Sequence, residues 1–186
     1  MENTLDIHDL DDSALVDARV DIEVSIDGQE AGTLSLEFWP QVAPGTVRNF
    51  LQYVSGGFYD GLTFHRVVTG FMVQGGCPQG TGTGSGPAGT IPGEFSQDSA
   101  YSHQRGTISM ARSNDPDSAS CQFFICHDAA TFLDGQYAAF GKLIGGENTL
   151  DKLASVSVGP GGGGEMSAPE VRCEISRATI RFDNEE

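Results

Sequence analysis

Basic residues are scarce: ten Lys and Arg stand against 26 Asp and Glu in 186 residues, giving a formal net charge of −16. Lys142 and Lys152 are the only lysines. Such a surface repels phosphate backbones and anionic lipid, so neither nucleic-acid nor membrane partners are expected. No stretch approaches the ~18–20 consecutive apolar residues of a membrane-spanning helix. The opening "MENTLDIHDLDDSALVDARV" has neither the basic start nor the apolar centre of a secretory signal, and a cytoplasmic location is expected. Cys77, Cys121, Cys126 and Cys173 are too few and too scattered for a disulfide framework, and they match no zinc spacing. They read as buried thiols. His8, His65, His103 and His127 are equally dispersed and form no i, i+4 pair, so no metal site and no cofactor is expected.

What the chain does contain is alternation. The length suits one domain, with no internal repeat. Residues 1–17 carry Asp6, Asp9, Asp11, Asp12 and Asp17 with little periodicity and read as a mobile acidic tail, so the folded domain is expected over 18–183. "RVDIEVSI" and "TLSLEFW" alternate apolar and polar residues around the turn "DGQEAG", the pattern of a β-hairpin. "APGTVRNFLQYVSGG" changes to a helical period through Val47, Phe50, Leu51 and Val54, with Pro44 in the first turn. Strand-type runs follow in "TFHRVV", "FMVQGG", "GTISMAR", "CQFFIC" and "AAFGKL", and a second helix is expected in "ENTLDKLASV", capped by Asn148. After the flexible "GPGGGG", the last strand changes its inward parity once, which predicts a β-bulge near Ser176-Arg177. Many short strands and two helices predict a mostly antiparallel barrel or sandwich with the helices outside.

Most candidate chemistry fails on context. Gly84, Gly86 and Gly89 form a G-x-G-x-x-G, but Pro87 lies inside the pattern and "TIPGEF" follows instead of a helix, so a surface loop is predicted rather than a phosphate cradle. Ser109, Ser118, Ser120, Cys121 and His127 occupy no nucleophile elbow. Cys121 and Cys126, five residues apart, belong on opposite faces and read as packing residues. The exception is "FHRVVTGFMVQGG", which places Arg66 between two β-type runs, followed by the pairs Met72/Gln74 and Gln122/Phe124, each an apolar group and an amide sharing one strand face.

That stretch, followed in order by "QFFI" and "LDGQYAAFGK", resembles the cyclophilin-type peptidyl-prolyl cis/trans isomerases from about residue 20 to 182. The resemblance implies a mostly β fold, a closed eight-stranded antiparallel β-barrel with two flanking α-helices, and a substrate groove on its outer face. It implies an enzyme that speeds rotation of X-Pro bonds in unfolded or flexible segments and so assists folding. A catalytically silent module that only binds Pro-peptides is the alternative. By the same resemblance Arg66 is the catalytic arginine with Gln74 beside it. Phe71, Met72, Phe124 and Leu133 form the proline pocket, and Gln122, Ala111 and Arg112 border the groove. Phe132 stands where many members carry tryptophan, Tyr137 where many carry histidine, Arg112 where many carry asparagine, and Thr69 replaces a common proline. The implied partners are Pro-containing polypeptides and, weakly, the inhibitor cyclosporin, with the chain expected to be a monomer.

Overall fold

The structure, a computed structural model, describes residues 6–183. Strands β1 (Ala18–Ile26) and β2 (Gln29–Phe38) make the expected hairpin. Its turn is only Asp27-Gly28, with φ of 53° and 76°. Two successive positive φ values match the twist of the flanking strands, and this is why an Asp-Gly pair closes the hairpin. The remaining strands are β3 (Phe64–Val68), β4 (Met72–Gly75), β5 (Thr107–Met110), β6 (Phe123–Cys126), β7 (Ala139–Gly145), β8 (Val158–Pro160), β9 (Met166–Pro169) and β10 (Cys173–Phe182).

Eight of these form one antiparallel sheet in the order β10-β1-β2-β7-β5-β6-β4-β3, while β8 and β9 pair as a separate hairpin that packs along β3. The edges of the curled sheet meet where Thr63 bridges Glu174 and the Ile175 N–H donates to the Leu62 carbonyl at 2.8 Å. Only an isolated bridge, from the residue just before β3 to β10, stands where a closed barrel has a full ladder, so the barrel expectation is met only in part. The bulge is where the parity change put it. Glu23 pairs with Arg177 and Val24 with Ile175, which leaves Ser176 as the extra residue.

Among the described residues three α-helices accompany the sheet, not two: α1 (Asp12–Val16), α2 (Pro44–Ser55) and α3 (Glu147–Ala154). In α2 the predicted stripe of Val47, Phe50, Leu51 and Val54 is buried, and Pro44 sits at the start where its missing N–H costs nothing. The cap of α3 is Gly146 at φ 89°, not Asn148, which lies inside the first turn. A Cβ at Gly146 would stand 2.1 Å from the Thr33 carbonyl oxygen, so no other residue fits there unchanged.

The reading of residues 1–17 as a mobile tail also needs correction, apart from residues 1–5, which lie outside the described residues. Ile7 and Leu15 are buried in the main core. Two of the aspartates that suggested a mobile tail serve as caps: Asp6 accepts from the His8 N–H at 3.0 Å and Asp11 from the Ala14 N–H at 2.8 Å. Arg48 of α2 ties the segment down through the Ile7 carbonyl and Asp12 at 2.9 and 2.7 Å. Leu15→Ala is therefore expected to cost about 2–5 kcal/mol, the range for emptying a buried leucine site. A chemical-denaturation curve shifted by less than ~0.5 kcal/mol would instead fit a surface tail.

Candidate active site

Strand periodicity builds the site. In β4 and β6, Val73, Phe123 and Ile125 point into the main core, while Met72, Phe124 and Cys126 point outward into a second, smaller apolar cluster with Ala130 and Leu133. Cys121 and Cys126 accordingly lie in different clusters, as their spacing predicts. Phe71, Ala111 and Tyr137 pack against the outer cluster. A cavity of about 320 Å³ opens there, lined by Arg66, Phe71, Met72, Gln74, Ala111, Arg112, Phe124, Phe132, Leu133 and Tyr137. Every residue that the resemblance marked for the site is on this wall except Gln122. Gln122 lines an adjoining cavity of about 470 Å³ together with Gln74, Ala111 and Arg112.

Arg66 and Gln74 are register partners across the β3–β4 hairpin, whose turn uses Gly70 at φ 77°. Arg66 Nη1 donates to Gln74 Oε1 at 3.0 Å, Gln74 Nε2 donates to Gln122 Oε1 at 3.1 Å, and Gln122 Nε2 donates to the Gly82 and Gly84 carbonyls, both at 2.9 Å. Each donor in this relay fixes the orientation of the next amide. The glycine-rich run thus remains a loop, and its carbonyls anchor the end of the relay. Arg66 also forks onto Glu165, with Nε to Oε1 at 2.8 Å and Nη2 to Oε2 at 3.0 Å. The hydrogen bonds from Arg66 are the main reason the Glu165 carboxyl is held below its usual range. Nothing in the sequence pointed to Glu165, which follows four glycines ninety-nine positions from its partner.

The groove's aromatic rim is ordered by stacking. Arg112 lies over the Tyr137 ring at 4.7 Å and the Phe95 ring at 5.6 Å, and donates to the Gln136 carbonyl through Nε and Nη2 at 2.9 and 2.7 Å. Phe132 is 67% exposed and leans on Phe71 with ring centroids 5.7 Å apart.

Behind Phe124 lies a polar network that the sequence did not reveal. His103 stacks on Phe124 at 6.1 Å, and its ring nitrogens contact Asp134 Oδ1 at 2.7 Å and Ser109 Oγ at 2.9 Å. The arrangement has the outline of a nucleophile triad, yet Ser109 and His103 are 0% and 1% exposed, so no substrate reaches them. Its work is to hold Asp134, next to Leu133, and the Phe124 wall. Asp134 further accepts from the Ser102 hydroxyl and the His103 backbone N–H.

Burial depresses the His103 ring pKa, against the opposing pull of the Asp134 hydrogen bond and charge. The ring is therefore neutral near pH 7, with Nδ1–H donating to Asp134 and Nε2 accepting from Ser109. A group whose pKa is lower in the folded state is protonated first in the unfolded chain, so the stability it supports is whole above about 6.5 and falls as pH drops below that value. A ring titration followed by NMR is expected to have its midpoint below 6.5. A midpoint above it would mean a charged His103–Asp134 ion pair.

Among the described residues no cluster of His, Cys, Asp or Glu is arranged to hold a metal ion, and no helix is long and apolar enough to cross a membrane. The profile of a family described as "Cyclophilin type peptidyl-prolyl cis-trans isomerase/CLD" matches residues 19–180. A peptidyl-prolyl cis-trans isomerase of Synechococcus elongatus is 51% identical over 137 residues, covering 69% of this chain and 91% of its own. Peptidyl-prolyl cis-trans isomerase B of Bacillus subtilis is 46% identical over 118 residues, covering 63% and 80%. A crystal structure of a cyclophilin-type isomerase from Cryptosporidium parvum superposes with a TM-score of 0.78 at 30% identity, covering 89% of this chain and 98% of that one. The same Cryptosporidium parvum protein was also solved in the presence of the dipeptide Ala-Pro.

Proposed function

The chain belongs to the cyclophilin-type peptidyl-prolyl cis-trans isomerase family, and from that premise we propose that Arg66 is its catalytic donor and that the apolar cavity beside it takes the proline ring. The observation that carries this is the seating of one guanidinium on the wall of an apolar cavity, held by Gln74 and Glu165 and with donors to spare. Of its five N–H groups three are engaged, which leaves one on Nη1 and one on Nη2 for a peptide.

Resonance in the amide C–N bond sets a rotational barrier of ~18–20 kcal/mol and makes X-Pro isomerisation take tens to hundreds of seconds. No bond has to break. In the twisted state the prolyl nitrogen becomes pyramidal and regains a lone pair, which a guanidinium can hydrogen-bond but which the planar ground state lacks. Phe71, Met72, Phe124 and Leu133 grip the ring, and burying its three methylenes at ~0.8 kcal/mol each gives about 2.5 kcal/mol, enough for weak, fast exchange. Weak binding suits substrates that are many different flexible segments. The four buried cysteines are unpaired, which favours a reducing compartment such as the cytoplasm.

A protease-coupled assay on an Ala-Pro peptide tests the activity, and cyclosporin tests the groove. Phe132 offers no indole N–H at the rim, so inhibition is expected to be weak, with Phe132→Trp tightening it. Identical inhibition of both forms would remove Phe132 from the binding surface.

A further inference from the structure

The β8–β9 hairpin belongs to neither the core sheet nor the proline pocket, yet its tip supplies the carboxylate that grips Arg66. An ion pair this open is a poor source of stability: the two side chains are 36% and 40% exposed, and such pairs contribute ~0–1 kcal/mol. Its geometry is nonetheless demanding. A fork-on-fork contact fixes both the position and the plane of a guanidinium, which a single point charge cannot do. The chain builds the contact with care. Gly163 and Gly164 turn the tip at φ 67° and 81°, the Gly161 N–H donates to the Glu165 carbonyl at 2.6 Å, and β9 then runs along β3, the strand that carries Arg66.

A further cavity of about 410 Å³, lined in part by His65, Thr81, Gly161, Glu165 and Ser167, shares Arg66 and Gln74 with the proline pocket. Arg66 lines both spaces. Its only hydrogen-bond partners among the described residues are Glu165 and Gln74. Without the carboxylate, Gln74 alone would keep the guanidinium from turning out of the pocket.

We propose that Glu165 is a positioning residue for the isomerisation: from the glycine-rich hairpin tip it locks the plane of Arg66 so that the remaining N–H groups are held ready for the prolyl nitrogen. The inference rests on Arg66 being the donor. A preorganised donor needs no reorientation during reaction, and a group that drifts by about 1 Å can cost up to ~10²-fold in rate. Because Gln74 still holds one end, a smaller loss is expected here.

The test is a set of steady-state measurements on an Ala-Pro peptide with Glu165→Ala, Glu165→Gln and Glu165→Asp, each made alone and on the Arg66→Ala background. Glu165→Ala is expected to lower kcat roughly tenfold with KM nearly unchanged, Glu165→Gln less, and none of them to slow Arg66→Ala further. The Arg66 Nε–H resonance, observed by NMR, should exchange slowly with water in the wild type and quickly in Glu165→Gln, a signature that does not depend on turnover. An unchanged or raised kcat in Glu165→Ala, or an equal loss on the Arg66→Ala background, would overturn the proposal. If Arg66→Ala itself keeps full activity, the assignment of Arg66 falls and this inference with it. If Arg66→Ala is slow and Glu165→Ala is not, this inference alone fails.

Discussion

Arg66→Ala is expected to lower kcat/KM by roughly 10²–10³, or about 2.7–4 kcal/mol, the scale for losing one preorganised donor to a transition state. The loss should fall on kcat, because the planar ground state offers the guanidinium no lone pair on the prolyl nitrogen, and Pro-peptide binding is expected to weaken far less. Arg66→Lys is expected to recover only part of the rate: an ammonium keeps the charge, but it cannot fork onto Glu165 while also donating to Gln74 in the same plane. Both variants should stay folded, since the Arg66 side chain is 36% exposed and lies outside the main core, and a melting curve checks this. Equal rates for wild type and Arg66→Ala would make Arg66 an ordinary ion-paired surface residue.

Phe124→Ala strikes the other half of the site and has a different signature. Phe124 is 5% exposed, packs edge-on against Tyr137 at 6.0 Å and covers the His103 ring. Its removal is expected to cost about 3–5 kcal/mol of stability, because the cavity left behind adds to the lost transfer energy. It would also take away a wall of the cavity, so Pro-peptide affinity is expected to fall together with kcat/KM. Phe124→Leu keeps most of the apolar volume and should retain the fold while still binding the ring less well. Thermal unfolding and peptide titration of both variants decide the matter, and a Phe124→Ala protein of wild-type stability and affinity would show that the outer cluster is not the binding pocket.

The strand pairs Met72/Gln74 and Gln122/Phe124 were legible in the sequence because a period of two assigns faces without knowledge of the fold. The bulge at Ser176 was legible for the same reason, since one extra residue inverts the parity of everything after it. The N-terminal segment was not. Its apolar residues Ile7 and Leu15 lie among aspartates, two of which, Asp6 and Asp11, become caps only once the short helices form. Glu165 and the His103–Asp134 contact were invisible for a different reason, as each joins residues far apart in the chain and leaves no local periodicity. The "GPGGGG" stretch read as flexible because glycine lowers every propensity at once, although in the folded chain those glycines turn the β8–β9 tip toward Arg66. The sheet's edges, finally, meet through the Thr63–Glu174 bridge, a contact that alternation along single strands cannot announce.

Exchange NMR on an Ala-Pro peptide, with enzyme present at a small fraction of the peptide concentration, separates turnover from binding in one experiment. Wild-type protein should produce cross-peaks between the cis and trans signals on a timescale far shorter than the uncatalysed tens of seconds, and Arg66→Ala should broaden the same signals with those cross-peaks nearly gone. Broadening without cross-peaks in the wild type would mean a module that binds proline without turning it, and cross-peaks of equal strength in both proteins would mean that Arg66 is not the donor.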